Sequence, residues 1–187
     1  MRKLCIVLIG ILCLGNLSAQ EAYKFIEEVY ADTVVEKVRL NKDFMNILTD
    51  RRQKTLFEDD FVFGEFWAGG KTDSIPNLEL FKEKIGMTDF LSYIDTDFEN
   101  PDLKINFEQL SSKFEEIEDP QAYVEDHRDQ RVVYISKPFF NASGDWAMIL
   151  EARVWYGEDG DSGDTLRIFR KLNGKWQLFH NLTLSFL

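Results

Sequence analysis

Cysteine and histidine are scarce in this chain. It has two of each, and both cysteines, Cys5 and Cys13, lie near the N-terminus. No His/Cys/Asp/Glu cluster shows metal spacing, and no glycine-rich phosphate loop occurs. Positive charge is also short: 22 bases face 33 acids, for a formal net charge of -11. A nucleic-acid binder needs a basic face, so nucleic acid is excluded as the expected partner. An anionic membrane surface is disfavoured for the same reason. There is no repeat and no low-complexity tract, and the four prolines fall between periodic segments, where they punctuate. What remains is a globular composition, 44% hydrophobic and 29% charged, over 187 residues. That is the length of one domain.

The first twenty residues read as an address. Met1-Arg2-Lys3 is basic, Leu4 to Leu14 is an apolar run, and Ser18-Ala19-Gln20 supplies small residues before a cut. This is the layout of a secretory signal peptide, cleaved after Ala19 or Gln20. The apolar run is shorter than the ~20 residues a membrane span needs. A lipoprotein signal does not fit, because Ile11-Leu12 precede Cys13 where small residues belong. Residues 1–20 are thus expected to be a signal peptide and 21–187 a single α+β domain. Its helical part is expected over about 21–120 and a β-meander over about 131–187. Both cysteines leave with the leader, so the exported chain has no disulfide. Arg2 and Lys3 leave too, and 20 bases against 33 acids give a charge of -13. The expected location is the periplasm or the outside of a Gram-negative cell, with no membrane span after cleavage.

Tyr23, Ile26, Tyr30 and Val34 recur at helical steps. Phe44, Ile47 and Leu48 make a short second stripe. Asn77 to Tyr93 predicts a clearer helix, capped by Asn77 and interrupted at Gly86. Phe107, Leu110, Phe114 and Ile117 predict another. Phe57 to Gly70 reads as either strand or loop. From Arg131 onward the pattern turns to strands. Residues 131–135 are rich in β-branched and aromatic types, Trp146 to Tyr156 alternate, and a polar loop over 157–164 separates them from Thr165 to Lys171 and Lys175 to Leu187. The predicted fold is α+β, with N-terminal helices packed on a C-terminal antiparallel sheet of about four strands. The helices should cover the face that bears Met148, Leu150, Val154, Ile168 and Leu178. At Leu172-Asn173-Gly174 a two-residue turn would mix the faces of the flanking strands. A three-residue loop pairing Lys171 with Lys175, with Gly174 at positive φ, keeps the apolar residues together and is the predicted turn.

Several short motifs dissolve on inspection. Gly160-Asp161-Ser162-Gly163 matches a serine-protease nucleophile loop, but neither His127 nor His180 has the surroundings of a catalytic base. His127-Arg128-Asp129 begins a kinase catalytic loop, but its asparagine position is Tyr134. Glu158 to Asp164 carries four carboxylates without EF-hand spacing, and a solvated acidic loop is expected. His180 sits on an apolar strand face, as a core histidine would. Asn141-Ala-Ser143 and Asn181-Leu-Thr183 fit the N-glycosylation pattern. Asp32-Thr33-Val34, Asp73-Ser74-Ile75 and Asp164-Thr165-Leu166 resemble the O-glycosylation acceptors of Bacteroidetes periplasmic proteins.

The run Ile135-Ser-Lys-Pro-Phe-Phe140, then Trp146-Ala-Met-Ile149, Leu166 to Phe169 and Lys171-Leu-Asn-Gly-Lys-Trp176 resembles the C-terminal β-meander of small, uncharacterised secreted and lipid-anchored proteins of Bacteroidetes. The likeness covers about a third of the chain and implies export rather than a reaction. Some of those proteins carry a cysteine- and glycine-rich loop where this chain has the acidic stretch 157–164.

No cofactor and no metal are expected, and no residue qualifies as catalytic. The expected function is a non-catalytic periplasmic or secreted binding protein. The alternative is a small-molecule enzyme or ligand carrier with a nuclear-transport-factor-like pocket. The site is placed on the second face of the sheet, at Ile149, Arg153, Trp155, Arg167, Phe169 and Phe179. Aromatics mixed with arginine are typical of interface cores, and a merely solvated sheet face is mostly polar. The partner is a protein, a small molecule or a second copy of the chain. The competing reading is that an N-terminal segment, Phe57 to Trp67, covers this face as core.

Overall fold

A computed structural model describes residues 20–30, 37–45, 78–99, 104–156 and 164–184. Their frame is a seven-stranded mixed sheet with helices on both faces. Strands β1 (Val38–Asn41), β2 (Phe114–Ile117), β3 (Arg131–Ile135), β4 (Phe139–Phe140), β5 (Trp146–Trp155), β6 (Asp164–Leu172) and β7 (Lys175–Leu184) are ordered β2-β1-β3-β5-β6-β7, with β4 also paired to β5. β1 runs parallel to both β2 and β3, whereas β3 to β7 pair antiparallel. The class is α+β as expected, but two features differ. The sheet has seven strands rather than four, and the helices are not all N-terminal, since one lies between β2 and β3.

The helices are α1 (20–30), α2 (Leu78–Ile85), α3 (Met87–Glu99) and α4 (Pro120–Asp126). Gly86 breaks α2 from α3. Its φ is +71°, a left-handed conformation that glycine adopts without a Cβ penalty. It is also crowded: a Cβ there would sit 3.2 Å from the Asn141 Cβ. Asp119 caps α4 by accepting from the Ala122 N–H at 3.1 Å, and Pro120 occupies the first turn, where its missing N–H costs nothing. The helix expected around Phe107 to Ile117 is instead a 3-10 turn (Phe107–Gln109) followed by β2. Phe114 and Ile117, spaced for a helix, are the two buried ends of a four-residue strand.

α2 and α3 cover one face of the sheet. Phe81, Ile85, Phe90 and Ile94 pack on Trp146, Met148, Leu150, Leu166, Ile168, Leu182 and Leu184. α1 covers the other. Tyr23, Phe25, Ile26 and Tyr30 pack on Val38, Leu40, Val133, Ala147, Ile149 and Phe169. Phe25 meets Phe140, Phe169 and Trp176 edge-on at 5.2–5.4 Å, the geometry that ring quadrupoles favour. α1 is pinned by its polar groups as well: the Tyr23 hydroxyl accepts from the Asn106 N–H at 2.8 Å, and Glu28 accepts from the Trp176 N–H at 2.7 Å. α4 closes a small third cluster, where Val124 meets Ile117 and Val132.

The β6–β7 turn corrects the register argument. Leu172 pairs with Lys175, so the loop is the two residues Asn173-Gly174, both at positive φ (52° and 79°). This is the hairpin turn whose twist matches the strands. The face mixing that counted against it is removed by a bulge. Ile168 pairs with His180 and Phe169 with Leu178, so Phe179 is an extra residue. The bulge turns Phe179 onto the α2 side, where it stacks on Phe81 at 5.8 Å and meets Trp146 at 5.0 Å. Leu178, expected in the core, is 46% exposed.

Candidate functional site

Among the described residues, α1 covers only part of β5, packing on Ala147 and Ile149. Burial along β5 follows: Trp146 to Glu151 are buried, and Ala152 to Trp155 are partly exposed. A cleft of about 970 Å³ lies beside Tyr30 of α1 and the partly exposed end of β5.

Glu151 forms the floor of this cleft, only 2% exposed. Its burial is matched by three donors. The Tyr30 hydroxyl donates to Oε2 at 2.5 Å, an Arg167 guanidinium N–H donates to the same oxygen at 2.9 Å, and Arg153 Nε donates to Oε1 at 2.6 Å. The strands dictate the arrangement. Arg153 is two residues further along the same face, and Arg167 lies diagonally across on β6, opposite Ile149. Burial works against the Glu151 charge, but Arg167 beside it, the Tyr30 hydrogen bond and Arg153 prevail and hold its carboxyl below the ordinary value. Burial and the Glu151 carboxylate push the Tyr30 hydroxyl well above its ordinary value. Burial opposes the Arg167 charge, yet Tyr30 and Glu151 raise it further. The Arg167 guanidinium also lies 5.4 Å from the Tyr30 ring centre and 5.1 Å from that of Phe169. Its Nε is buried with no hydrogen-bond partner among the described residues, the kind of unsatisfied donor that calls for an explanation.

The walls of the cleft are basic. Lys37 immediately precedes β1 and Arg39 lies within it, Arg128 lies on the approach to β3 and Arg131 opens that strand, and Arg153 and Arg167 come from β5 and β6. Against these six bases stand three acids among the described lining residues, Glu115, Asp129 and Glu151, an excess of three positive charges within that set. The chain as a whole carries -11. Arg39 is partly engaged, donating to the Tyr123 hydroxyl at 2.6 Å and pairing with Glu115 at 3.4 Å. Arg128 lies 4.1 Å from the Tyr156 ring centre. Lys37 and Arg131 are exposed and have no ion-pair partner among the described residues. A second cleft of about 370 Å³ adjoins the first. The two share Glu151, Arg153, Trp155 and Arg167, and the second adds Thr165, Asn181 and Thr183.

The six residues placed on the second sheet face therefore separate into three groups. Arg153, Trp155 and Arg167 line the cleft. Ile149 and Phe169 are 0% and 2% exposed under α1 and offer no accessible surface. Phe179 belongs to the opposite face because of the bulge. The cover over the aromatic part is α1, and Phe57 to Trp67 lie outside the described residues. Sequence reasoning missed Tyr30, Lys37, Arg39, Arg128 and Arg131. The one local signal was Glu151 between apolar residues on a strand face with Arg153 beside it.

The remaining motifs stand as follows. Asn141 is buried and saturated: Nδ2 donates to the Lys84 carbonyl at 2.8 Å, and Oδ1 accepts from the Asp145 and Trp146 N–H groups, both at 3.1 Å. It is a structural plug between α2 and the β4–β5 turn, and its burial blocks glycosylation. Asn181 is exposed within β7. His127 ends α4 and stacks on Tyr123 at 4.2 Å. His180 is half-buried opposite Ile168. Asp164 opens β6, and burial raises its carboxyl above the ordinary value. Residues 157–163, like Cys5 and Cys13, lie outside the described residues. Among the described residues no helix is long and apolar enough to cross a membrane, and no group of three or more His, Cys, Asp or Glu side chains converges as a metal site. No family model, curated protein or solved structure matches the chain.

Proposed function

We propose that this is an exported, non-catalytic binding protein that takes an anionic ligand in the arginine-lined cleft beside Tyr30 of α1. The observation that carries the reading is the local inversion of charge, an excess of three positive charges among the described lining residues of one cleft in a chain at -11. Low-dielectric walls lined by one sign of charge focus the field and raise the local concentration of counter-ions. The volume, about 970 Å³, is that of a ligand site rather than of a surface dimple. The state of its buried ionisable groups favours binding over catalysis. A general acid or base works best with a pKa near the working pH. Glu151 is pushed down and Tyr30 up, both away from neutrality. A nuclear-transport-factor-like carrier would keep its pocket between helices and sheet. Here Phe25 and Ile26 fill one such interval and Phe81 and Phe90 the other. Export rests on the leader at residues 1–20, and the resemblance to secreted Bacteroidetes proteins agrees with it.

The test is equilibrium binding at low ionic strength to citrate, to a sulfated hexasaccharide and to hexaglutamate. At least one binds, salt weakens it, and reversing Arg128 and Arg131 together to Glu abolishes it. Lys175→Glu, at the far hairpin, leaves it unchanged. Equal affinity of the wild type and the double reversal for all three probes contradicts the reading.

A further inference from the structure

Resting on that reading, we infer that the ligand is an acidic glycan: a chain of hydroxylated rings bearing carboxylate or sulfate groups, lying across the ridge that joins the two clefts. The first observation is continuity. The clefts of about 970 and 370 Å³ share Glu151, Arg153, Trp155 and Arg167, so one extended occupant can contact both. A small isolated anion such as phosphate would fill neither. An extended ligand fits both.

The second observation is that the two halves differ in chemistry. The larger half is cationic. The smaller adds Thr165, Thr183 and Asn181, neutral groups that each donate and accept hydrogen bonds. They form one continuous polar patch because Thr165 is paired with Thr183, and Arg167 with Asn181, across β6 and β7. Hydroxyl-rich rings match such groups, since every ring hydroxyl is itself both donor and acceptor. Arginine is the side chain whose flat, fixed fork pairs best with carboxylate and with oxyanions of phosphate geometry.

The third observation is Trp155 on the shared ridge, half-buried and lining both clefts. An indole face there offers a flat apolar surface with a polar edge, suited to the C–H face of a sugar ring. Arg167, whose Nε lacks a partner among the described residues, lies on the same ridge. Glu151 holds both ridge arginines and so fixes the spacing at which they meet anionic groups. Because exposed charges are screened beyond about 8 Å at physiological salt, the net negative charge of the rest of the chain does not cancel the local attraction of this trough for a polyanion.

Titration calorimetry with the whole protein tests this, using sulfated di- and hexasaccharides, a galacturonate hexasaccharide, a neutral glucan hexasaccharide, inorganic sulfate and hexaglutamate. One or both acidic hexasaccharides bind at least roughly tenfold tighter than the acidic disaccharide and the neutral glucan. Trp155→Ala and Asn181→Ala each weaken that binding by about tenfold or more. Circular dichroism and melting of both variants report whether they fold, and Trp155→Phe, which keeps a ring, retains most of the affinity. If hexaglutamate or sulfate binds through Arg128 and Arg131 while no acidic glycan does, the glycan assignment is overturned and the anion-binding reading stands. If no probe binds, both fall.

Discussion

Removing the charge of Glu151 should destabilise the fold by an amount that depends on pH. Glu151→Gln keeps the shape but leaves Arg167, whose side chain is 16% exposed, without its counter-ion and facing an amide N–H. Breaking a buried pair from one side typically costs 3–5 kcal/mol. Arg153 is 41% exposed and stays solvated, so only Arg167 contributes in full and the lower end, about 3 kcal/mol, applies. For a domain of this size that is a fall in Tm of roughly 6–12 °C. The native carboxyl lies below its ordinary value of 4.5. Its contribution is therefore present above that value and is lost as pH falls through the lowered native value. Calorimetric unfolding of wild type and variant should show the full Tm gap at pH 7, a narrowing gap below about pH 4 and near-coincidence in stronger acid. Glu151→Gln combined with Arg167→Met, which removes both partners, should recover most of the loss. A gap that is absent at pH 7, or constant into acid, would refute the description of Glu151 as a clasped carboxylate.

Other outcomes follow from the same geometry. Gly174→Val should cost about 1–2 kcal/mol by denaturant titration, from backbone alone, since nothing lies within 4 Å of its absent Cβ. Gly86→Ala should cost more than Gly174→Ala in the same assay, because the 3.2 Å approach to Asn141 adds to the positive φ. Phe169→Ala should cost 3 kcal/mol or so, as a large core truncation does. Trp155→Ala, at the rim, should cost less in the same measurement while weakening acidic-glycan binding about tenfold or more.

How far the fold could be read from sequence depended on where its partners lay. β5, β6 and β7 are long, alternate cleanly and pair with their neighbours in the chain, so they were legible. β1 and β2 were not. Each has four residues, and each is held by parallel pairing to a distant segment, such as Val38 with Phe114. Nothing local distinguishes Phe114 and Ile117 from two positions of a helix. The bulge at Phe179 is invisible for a related reason: a strict period of two conceals it, and one extra residue reverses every face beyond it. That single slip misplaced both Leu178 and Phe179. The site was half legible. Arg153, Trp155 and Arg167 share a strand face and could be grouped by alternation. The rest of the cleft is brought there from α1, β1 and the approach to β3. Of the aromatics assigned to this face by alternation, only Phe169 lies beneath α1 against Phe25, whereas Trp155 stands at the cleft and Phe179 belongs to the other face.

Chemical-shift mapping on the isotope-labelled protein tests the cleft most directly. Titrated with a sulfated hexasaccharide at low salt, the protein should show its largest changes at the amides of Lys37, Arg39, Arg131 and Arg153 and at the Trp155 indole N–H. The changes should collapse as salt is raised and vanish in the Arg128→Glu, Arg131→Glu double variant. Changes scattered over the surface, or centred on the α2–α3 face, would contradict the assignment of this cleft as the anion site.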